Sequence, residues 1–288
     1  MPKFFVRKNQ IEKNQIEIMG EDVNHIKNVL RKNIGDILEI CNQDDRQNYR
    51  AEITAIDNYK IKCKVTEIIE AKAESNLYIN IFQGLPKSDK MELIIQKSIE
   101  LGASEITPVA MKRCVVKIKE KDEPKKLQRW QKISETASKQ CGRDIVPRIN
   151  NIVKIKDICN ITKDYDVVLV AYELEKDNKL KKELEILKKQ KNKSYFNKKT
   201  SNIIKIAIII GPEGGLDIEE VNFLKENGAK VITLGERILR TETVALNMIS
   251  VITYEFENWK VMLRICTNNR KEIKDERKNW RKKNKKWH

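Results

Sequence analysis

The stretch IIKIAIIIGPEGG at residues 203–215 decides the fold, because it joins an almost wholly apolar run to a glycine-rich loop. A run rich in β-branched isoleucine and ended by Gly211-Pro212 is typical of a parallel strand covered on both faces. Asp217 is the predicted start of a helix, with Glu220 completing a capping box. Ligands of open α/β sheets bind beyond the carboxyl ends of strands, so the loop is a candidate binding site. It is neither a Walker A loop nor a GxGxxG fingerprint, and an ordinary tight turn explains it about equally well.

Around this loop, strand and helix patterns alternate from about Ser75 onward. Strands are predicted at 77–83, 105–110, 166–172, 203–210 and 231–234. Helices are predicted from a cap at Ser88 to a stop at Gly102, across 127–141 up to Gly142, from Asp217 to Gly228, and over 244–256. This alternation predicts an α/β domain with a mainly parallel sheet, which we place at residues 75–258.

Residues 1–74 show a different pattern, in which short alternating strands are separated by turns. Strands are predicted at 36–41, 49–53 and 60–65, and a short helix at 23–30. Several short strands in a segment of this length predict a small β-barrel.

Composition argues against several classes of function. No apolar run approaches the roughly 20 residues that span a bilayer, and the first residues lack the apolar core of a signal peptide, so we expect no membrane partner and a cytoplasmic protein. The six cysteines form no CxxC pair, and the chain has only two histidines. We therefore expect no metal site and reduced thiols, and a Ser-His-Asp or Cys-His mechanism is poorly supported.

The net charge of +16 points to an anionic partner, but its location matters more than its size. Residues 176–199 carry +7 and residues 260–288 carry +9, which leaves the rest of the chain neutral overall. We interpret 176–202 as a Lys/Asn-rich surface insertion that contains one amphipathic stretch at 180–187, where a single helix is predicted. We interpret 259–288 as a basic, poorly ordered tail. Within the body, residues 112–148 hold twelve Lys or Arg against five acids.

Two further strand ends carry loops of unusual composition. The first is QGLPKSDKME at 83–92, which is also explained as a strand-to-helix loop with solvent-facing lysines. The second is LGERILRTETVA at 234–245, where charges and hydroxyls stand beside two apolar side chains, as suits a cofactor with an aromatic base and charged ends. A helix start explains part of it, with Thr241 or Thr243 as N-cap and Glu242 favoured by the helix dipole.

These loops resemble motifs of the SPOUT methyltransferase superfamily, and specifically of the ribosomal small-subunit RNA uridine-N3 methyltransferases (RsmE type). The resemblance rests on LPK and DKME within 85–92, ELG at 100–102, RW at 129–130, GR and VP within 142–147, GPEGG at 211–215, and LG with ILRTET and Ala245 within 234–245. His25, VLR at 29–31 and GD at 35–36 resemble that family's small RNA-binding barrel. The similarity spans about residues 1–257. The sequence departs from the family at 111–114, in the Lys-rich insertion and in the basic tail.

The resemblance implies a small PUA-like β-barrel followed by a SPOUT-type α/β domain with a C-terminal trefoil knot. It implies S-adenosylmethionine as cofactor, 16S rRNA of the small ribosomal subunit as partner, and a homodimer with its active site near the subunit interface. The residues implied for the cofactor pocket are Leu85, Gly211, Glu213, Gly215, Leu234, Gly235, Ile238, Leu239, Thr243 and Ala245. The residues predicted to contact RNA are Arg7, His25, Arg31, Lys87, Lys90 and Arg113. His25 is explained at least as well by packing on the barrel.

Methylation of uridine at N3 requires loss of the N3 proton, because the neutral nitrogen is a poor nucleophile. With no histidine near the motifs, we expect Arg240 to stabilise negative charge developing on N3 and O4. Glu242 is the candidate general base, and Arg143 is expected to contact the target nucleotide or a phosphate. An alternative role for Glu242 is that of a helix-start carboxylate paired with Arg237 or Arg240.

The predicted function is therefore S-adenosylmethionine-dependent methylation of N3 of a specific uridine in 16S rRNA. Two alternatives stay open: a SPOUT methyltransferase that acts on another RNA such as tRNA, and a non-catalytic RNA-binding protein of ribosome assembly. The intact cofactor loops argue against a pure binder, and the N-terminal motif favours the small-subunit target.

Overall fold

A computed structural model describes residues 2–196 and 203–256, and its strands form two sheets. The N-terminal sheet contains β1 (Lys3–Val6), β2 (Ile11–Glu12), β3 (Gln15–Met19), β4 (Ile37–Asn42), β5 (Asn48–Ile56) and β6 (Lys60–Ile69). Helix α1 (Glu21–Asn24) continues into a π-helical turn at His25–Val29. The strand order is β1-β4-β5-β6-β3-β2, in which β1 pairs with β4 in parallel and the other neighbours are antiparallel.

Period-two alternation builds this N-terminal sheet. In β6, Ile61 and Cys63 are buried while Lys62 and Lys64 between and beside them face solvent. A separate apolar cluster forms behind the sheet, and Phe4 and Ile40 in it are fully buried. The predicted short strands are thus confirmed, whereas their closure into a barrel stays a prediction.

The second sheet has helices packed around it. Its strands are β7 (Leu77–Gly84), β8 (Glu105–Ala110), β9 (Arg148–Ile149), β10 (Val153–Lys154), β11 (Val167–Ala171), β12 (Ile204–Ile210) and β13 (Lys230–Ile232). Its helices are α2 (Lys90–Glu100), α3 (Glu123–Cys141), α4 (Ile155–Ile161), α5 (Leu180–Phe196), α6 (Ile218–Glu226) and α7 (241–256). No helix in the described ranges is long and apolar enough to cross a membrane.

All pairs of this sheet are parallel, in the order β10-β8-β7-β12-β11-β13, with β9 also on β8. The isoleucine-rich β12 lies between β7 and β11, and Ile206, Ile208 and Ile209 have no exposed surface. A strand covered on both faces needs apolar side chains on both faces, which is why this run lacks alternation. The predicted α/β domain with a parallel sheet is confirmed.

Helix ends follow the local signals in two cases and depart from them in a third. Gly142 ends α3 in the left-handed conformation with φ 73°, and Asp217 and Glu220 form the predicted capping box of α6. Ser88 is not the cap of α2: its φ is 53°, and Asp89 occupies the N-cap position. Helix α2 therefore begins one residue later than the sequence predicts.

Composition suggested that the Lys-rich segment 176–202 is a surface insertion. Its described part, up to residue 196, instead contributes to the core of the second domain. Helix α5 connects β11 to its parallel neighbour β12, and such neighbours require a crossover connection. Its apolar face is buried in the main core through Leu180, Leu184 and Leu187, while lysines such as Lys181 face solvent. Lys181, Lys182 and Lys189 lie on the exposed face of this structural helix. The predicted tail at 259–288 lies outside the described residues.

A buried polar cluster joins the N-terminal sheet to the loop after α3. The carboxylate of Asp144 accepts hydrogen bonds from the Lys3 ammonium, from Nδ2 of Asn48 at 2.6 Å and from the backbone N–H of Ala73 at 2.9 Å. The side chain of Asp144 is 1% exposed and that of Lys3 is 8% exposed. This ion pair thus links residues 141 positions apart in the chain.

Arg143 belongs to the same junction, which corrects its predicted contact with the nucleotide or phosphate. Nε and Nη2 donate to the two carboxylate oxygens of Glu74 at 2.8 and 2.7 Å, and Nη1 donates to the carbonyl oxygens of Ile99 and Ala103. With its side chain 6% exposed and four of its five N–H groups hydrogen-bonded, the guanidinium is not available to a ligand. Arg143 has a structural role because a buried cation needs this many partners.

Candidate active site

The loops after β7 and β12 meet the start of α7 at a single threonine. Nε2 of Gln83 donates to Oγ1 of Thr241 at 2.8 Å, and that hydroxyl donates to the carbonyl oxygen of Gly211 at 2.7 Å. Thr241 therefore joins the loops instead of capping its own helix, and Thr243 is exposed. The three strand-end motifs found in the sequence form one site.

A pocket of about 480 Å³ opens where these loops meet. Its walls come from Lys90, the end of β11, the glycine-rich loop and the segment before α7. The lining residues are Lys90, 171–173, 210–215, 233–241 and Val244. The pocket thus lies at the carboxyl ends of parallel strands, as expected for an open α/β sheet.

Two glycines let backbone form part of the pocket wall. A Cβ on Gly211 would lie 2.8 Å from the carbonyl carbon of Gly215. Gly215 itself has φ 72°, and a Cβ there would collide with the carboxylate of Glu173. Both positions require glycine, because any side chain would push the two arms of the loop apart or strain the backbone.

Lys90 and Glu213 form an ion pair at the pocket wall. Nζ of Lys90 lies 3.1 Å from Oε1 of Glu213, whose carboxylate also accepts the backbone N–H of Lys87 at 3.0 and 3.2 Å. Burial raises the pKa of Glu213, but its own N–H, the Lys87 N–H and Lys90 outweigh burial and hold that pKa below its ordinary value. The hydrogen bond to Glu213, reinforced by the charge of Glu242, raises the pKa of Lys90. Both groups are charged at neutral pH.

Glu242 pairs with Lys90 and not with Arg237 or Arg240, the partners considered from sequence. Its Oε2 lies 3.5 Å from Nζ of Lys90, and its side chain is 15% exposed. The same oxygen is buried and accepts no hydrogen bond in the described part of the chain. A buried carboxylate oxygen without a donor is an acceptor that a bound ligand can satisfy.

Arg237 and Arg240 both line the pocket and are exposed. Within residues 2–196 and 203–256, neither guanidinium forms an ion pair or side-chain hydrogen bond. A cation held at a pocket and not neutralised by the protein is free to meet a negative charge on a ligand. The site thus combines an unpaired cation with an unsatisfied carboxylate oxygen.

The structure brings most of the predicted cofactor residues together. Gly211, Glu213, Gly215, Leu234, Gly235, Ile238 and Leu239 line the pocket. Leu85 and Ala245 are buried beside it and Thr243 is exposed, so none of these three lines it. Their roles stay predictions. Tyr172 and Glu173 also line the pocket and were not predicted from the sequence. The available signal was their place at the end of the predicted strand 166–172, which Tyr172 ends and Glu173 follows.

The predicted RNA contacts fall in two places. Lys87, Lys90 and Arg113 surround the glycine-rich loop, where Nη1 of Arg113 donates to the carbonyl oxygen of Gly214 at 3.2 Å. Arg7 and Arg31 are exposed on the N-terminal domain, and Arg7 pairs with Asp44. His25 packs its ring edge-on against Phe4 at 6.0 Å, in keeping with the packing alternative. No cluster of three or more potential ligand side chains able to hold a metal occurs in the described ranges.

Ion pairs reduce the local excess of positive charge between residues 112 and 148. Several of its cations have acidic partners from elsewhere in the chain. The cations in such pairs are Lys112, Arg113, Arg129, Lys132, Lys139 and Arg143. The free positive surface of this region is therefore smaller than its sequence count implies.

Comparison with known proteins identifies the class. A family model described as an RNA methyltransferase domain matches residues 73–253, and one described as an RNA methyltransferase PUA domain matches residues 18–66. The chain is thus an RNA methyltransferase with a PUA-like domain.

Relatives narrow the class to one family. The chain is 37% identical over 266 residues to the ribosomal RNA small subunit methyltransferase E of Bacillus subtilis, covering 89% of this chain and 98% of the relative. It is 30% identical over 263 residues to the enzyme of the same name from Buchnera aphidicola, covering 90% and 96%. The crystal structure of the Neisseria gonorrhoeae ribosomal RNA small subunit methyltransferase E bound to S-adenosyl methionine is 27% identical, with a TM-score of 0.73 and coverage of 88% and 97%. The chain belongs to the ribosomal RNA small subunit methyltransferase E family.

Proposed function

We propose that this protein transfers a methyl group from S-adenosylmethionine to N3 of a specific uridine in the 16S rRNA of the small ribosomal subunit. One observation carries the proposal: a glycine-walled pocket at the strand ends, with an unpaired Arg240 and an unsatisfied Glu242 oxygen beside it. The names of the relatives support the RNA target, and the ligand of the Neisseria structure supports the cofactor.

The pocket suits S-adenosylmethionine in size and chemistry. Its volume of about 480 Å³ is within the range usual for small-molecule sites. Leu234, Ile238 and Leu239 offer apolar surface for an adenine ring, and the glycine backbone at 211–215 offers polar groups at close approach. When bound there, the cofactor supplies an electrophilic methyl group on a sulfonium.

Gly211→Ala tests the cofactor pocket. The added Cβ meets the backbone of Gly215, so the two arms of the loop must separate. We expect the Kd for S-adenosylmethionine to rise at least about tenfold, in line with the loss of close backbone contact. Isothermal titration calorimetry measures this. Gly228→Ala strains a glycine with φ 90° outside the pocket, so it controls for a general loss of stability. An unchanged Kd in Gly211→Ala contradicts the assignment.

The chain's own groups perform the proton chemistry. Arg240 stabilises the negative charge that develops on N3 and O4 as the proton leaves, because no acidic group of the described residues neutralises its own charge. Glu242 accepts the proton through its unsatisfied oxygen, as a general base must lie within hydrogen-bond reach of the proton. Holding N3 of the uracil in line with the methyl donor supplies much of the remaining rate acceleration.

RNA recognition in this proposal uses both domains. Arg7, Arg31 and His25 contact RNA from the N-terminal domain, and Lys87 and Arg113 contact it beside the glycine-rich loop. Phosphate contacts of this kind make affinity fall as salt concentration rises.

The finer architecture is also part of the proposal. We place a PUA-like barrel at 1–74 and a SPOUT domain at 75–258, with α5 as an integral crossover. The burial of Thr241 between Gln83 and Gly211 supports a trefoil knot, because the start of α7 lies between strand-end loops. Exposed Leu174 and Ile238 close to the pocket support a homodimer that covers them. The proposed location is the cytoplasm.

Methylation of isolated subunits tests the function directly. Small ribosomal subunits from cells that lack this protein are incubated with the purified protein and S-adenosylmethionine, and their RNA is mapped by mass spectrometry. We expect N3-methyluridine at a single position in 16S rRNA. Methylation of tRNA instead would favour the other SPOUT activity, and cofactor binding without any methylation would favour a non-catalytic protein.

A further inference from the structure

Lys90 lies in the wall of the pocket between two carboxylates, and a lysine that only contacts RNA would not require this position. It is the first residue of α2, and it lines the cofactor pocket. Its ammonium lies between a carboxylate of the glycine-rich loop, Glu213, and one in the first turn of α7, Glu242. Nζ is 3.1 Å from Oε1 of Glu213 and 3.5 Å from Oε2 of Glu242. The side chain is 32% exposed, and its ion pairs with the two carboxylates hold its ammonium at the pocket wall.

The contacts form a connected series that ends at Glu242. The backbone N–H of Lys87 fixes the carboxylate of Glu213, which holds Lys90 from one side. Lys90 then provides the charged neighbour of the Glu242 oxygen, which otherwise accepts no hydrogen bond within the described residues. The orientation of Glu242 therefore depends on Lys90.

We propose that Lys90 is a positioning residue for the proton transfer, holding the Glu242 carboxylate toward the target base, and that it is not primarily a contact to the RNA backbone. This inference rests on the proposed function, since it assigns Lys90 a role in that reaction. Lys90 itself carries no proton to or from the uracil, because its two carboxylate neighbours keep it protonated.

The proton transfer balances without any further reactant. The N3–H bond breaks, the proton goes to an oxygen of Glu242, and the electron pair stays on N3. That pair forms the new bond to the methyl carbon, while the bond from the methyl carbon to sulfur breaks and leaves its electrons on sulfur. The Lys90 ammonium keeps its charge throughout and offsets the charge of Glu242 before the proton arrives.

Steady-state kinetics of Lys90→Gln on the RNA substrate test the role. Misplacement of the Glu242 carboxylate is expected to lower kcat by about 100-fold. The KM for RNA and the Kd for the cofactor are expected to change by less than about threefold. Lys90→Arg keeps the charge and is expected to recover kcat to within about tenfold of wild type.

Two further variants make the test specific. Lys97→Gln removes a lysine of the same helix that pairs only with Glu100 in the described residues, and it is expected to leave kcat unchanged. In a Glu242→Gln background, Lys90→Gln is expected to lower kcat by less than about threefold more, because residues that act through one another are not additive. Thermal melting of each variant checks that it folds.

The outcomes separate the alternatives. A raised KM for RNA with unchanged kcat would show that Lys90 only contacts RNA, and would overturn the inference. Full additivity with Glu242→Gln would overturn it too. If the wild-type protein binds the cofactor but methylates no uridine, the proposed function fails and the inference fails with it. An active wild type with an unaffected Lys90→Gln variant overturns the inference alone.

Discussion

Replacing Asp144 with alanine is expected to lower the free energy of unfolding by about 3–5 kcal/mol, the usual cost of breaking a buried ion pair from one side. The substitution leaves the buried Lys3 ammonium without its counter-ion and removes the acceptor of Asn48 and of the Ala73 N–H. Urea denaturation followed by far-UV circular dichroism measures the loss. The effect is large because the carboxylate and the ammonium are both buried.

An exposed ion pair serves as the control. Glu67 pairs with Arg50 at 2.8 Å, with side chains 53% and 49% exposed, and Glu67→Ala is expected to cost less than about 1 kcal/mol. A double variant, Lys3→Met with Asp144→Leu, is expected to recover part of the stability because it removes both charges. Equal effects of Asp144→Ala and Glu67→Ala would contradict the importance of the buried pair.

The same carboxylate predicts a pH dependence. Burial by itself raises the pKa of Asp144, but hydrogen bonds from Lys3, the Ala73 N–H and Asn48 outweigh burial and hold it below its ordinary value. A lowered pKa in the folded state contributes stability above the unfolded-state pKa, and that contribution disappears as pH falls through the folded-state value. Asp144→Asn should therefore lose less stability than wild type when the pH is taken below about 4. Identical acid unfolding curves for the two proteins would count against this assignment.

Arg240→Ala is expected to lower kcat by about 10²–10³-fold, the range found when one group that stabilises a developing oxyanion is removed. Arg240 lines the pocket, is exposed, and has no ion pair in the described residues, so its charge is available to the anionic uracil. Removing it should leave ground-state cofactor binding largely intact. Single-turnover methylation of small subunits measures the change, and calorimetry measures the Kd for the cofactor.

Two variants control for nonspecific effects of charge. Lys181→Ala removes a cation from the solvent face of α5 and is expected to retain wild-type activity. Arg240→Lys keeps the charge but not the planar donor geometry, and it is expected to fall between wild type and Arg240→Ala. Full activity of Arg240→Ala with unchanged cofactor affinity would exclude the proposed role.

Sequence patterns predicted five of the seven strands of the main sheet, and the capping box of α6, because those features depend on local physics. A strand buried on both faces must be apolar throughout, and a helix start must satisfy its own N–H groups. The same patterns did not show that α5 belongs to the core. Its lysine content can be counted along the chain, whereas the burial of its apolar face depends on contacts with distant segments. Deleting 176–202 would therefore remove a crossover and not a dispensable insertion.

Residue type alone could not distinguish the two arginines that were predicted at the catalytic centre, Arg143 and Arg240. Arg143 is used up by Glu74 and two carbonyl oxygens, whereas Arg240 lines a pocket without a partner. Likewise Glu242 pairs with Lys90, which lies far away in sequence, and not with the arginines beside it. Partners that are distant along the chain leave no trace in local spacing.

The sequence by itself determined the α/β class, the three strand-end loops and the family whose motifs those loops carry, because each depends on residues adjacent in the chain. Only the tertiary structure decided which charges are free, which are buried, and how Thr241 joins the loops into one pocket. Those properties depend on distances between segments, and the distances exist only after the sheet has brought its strand ends together.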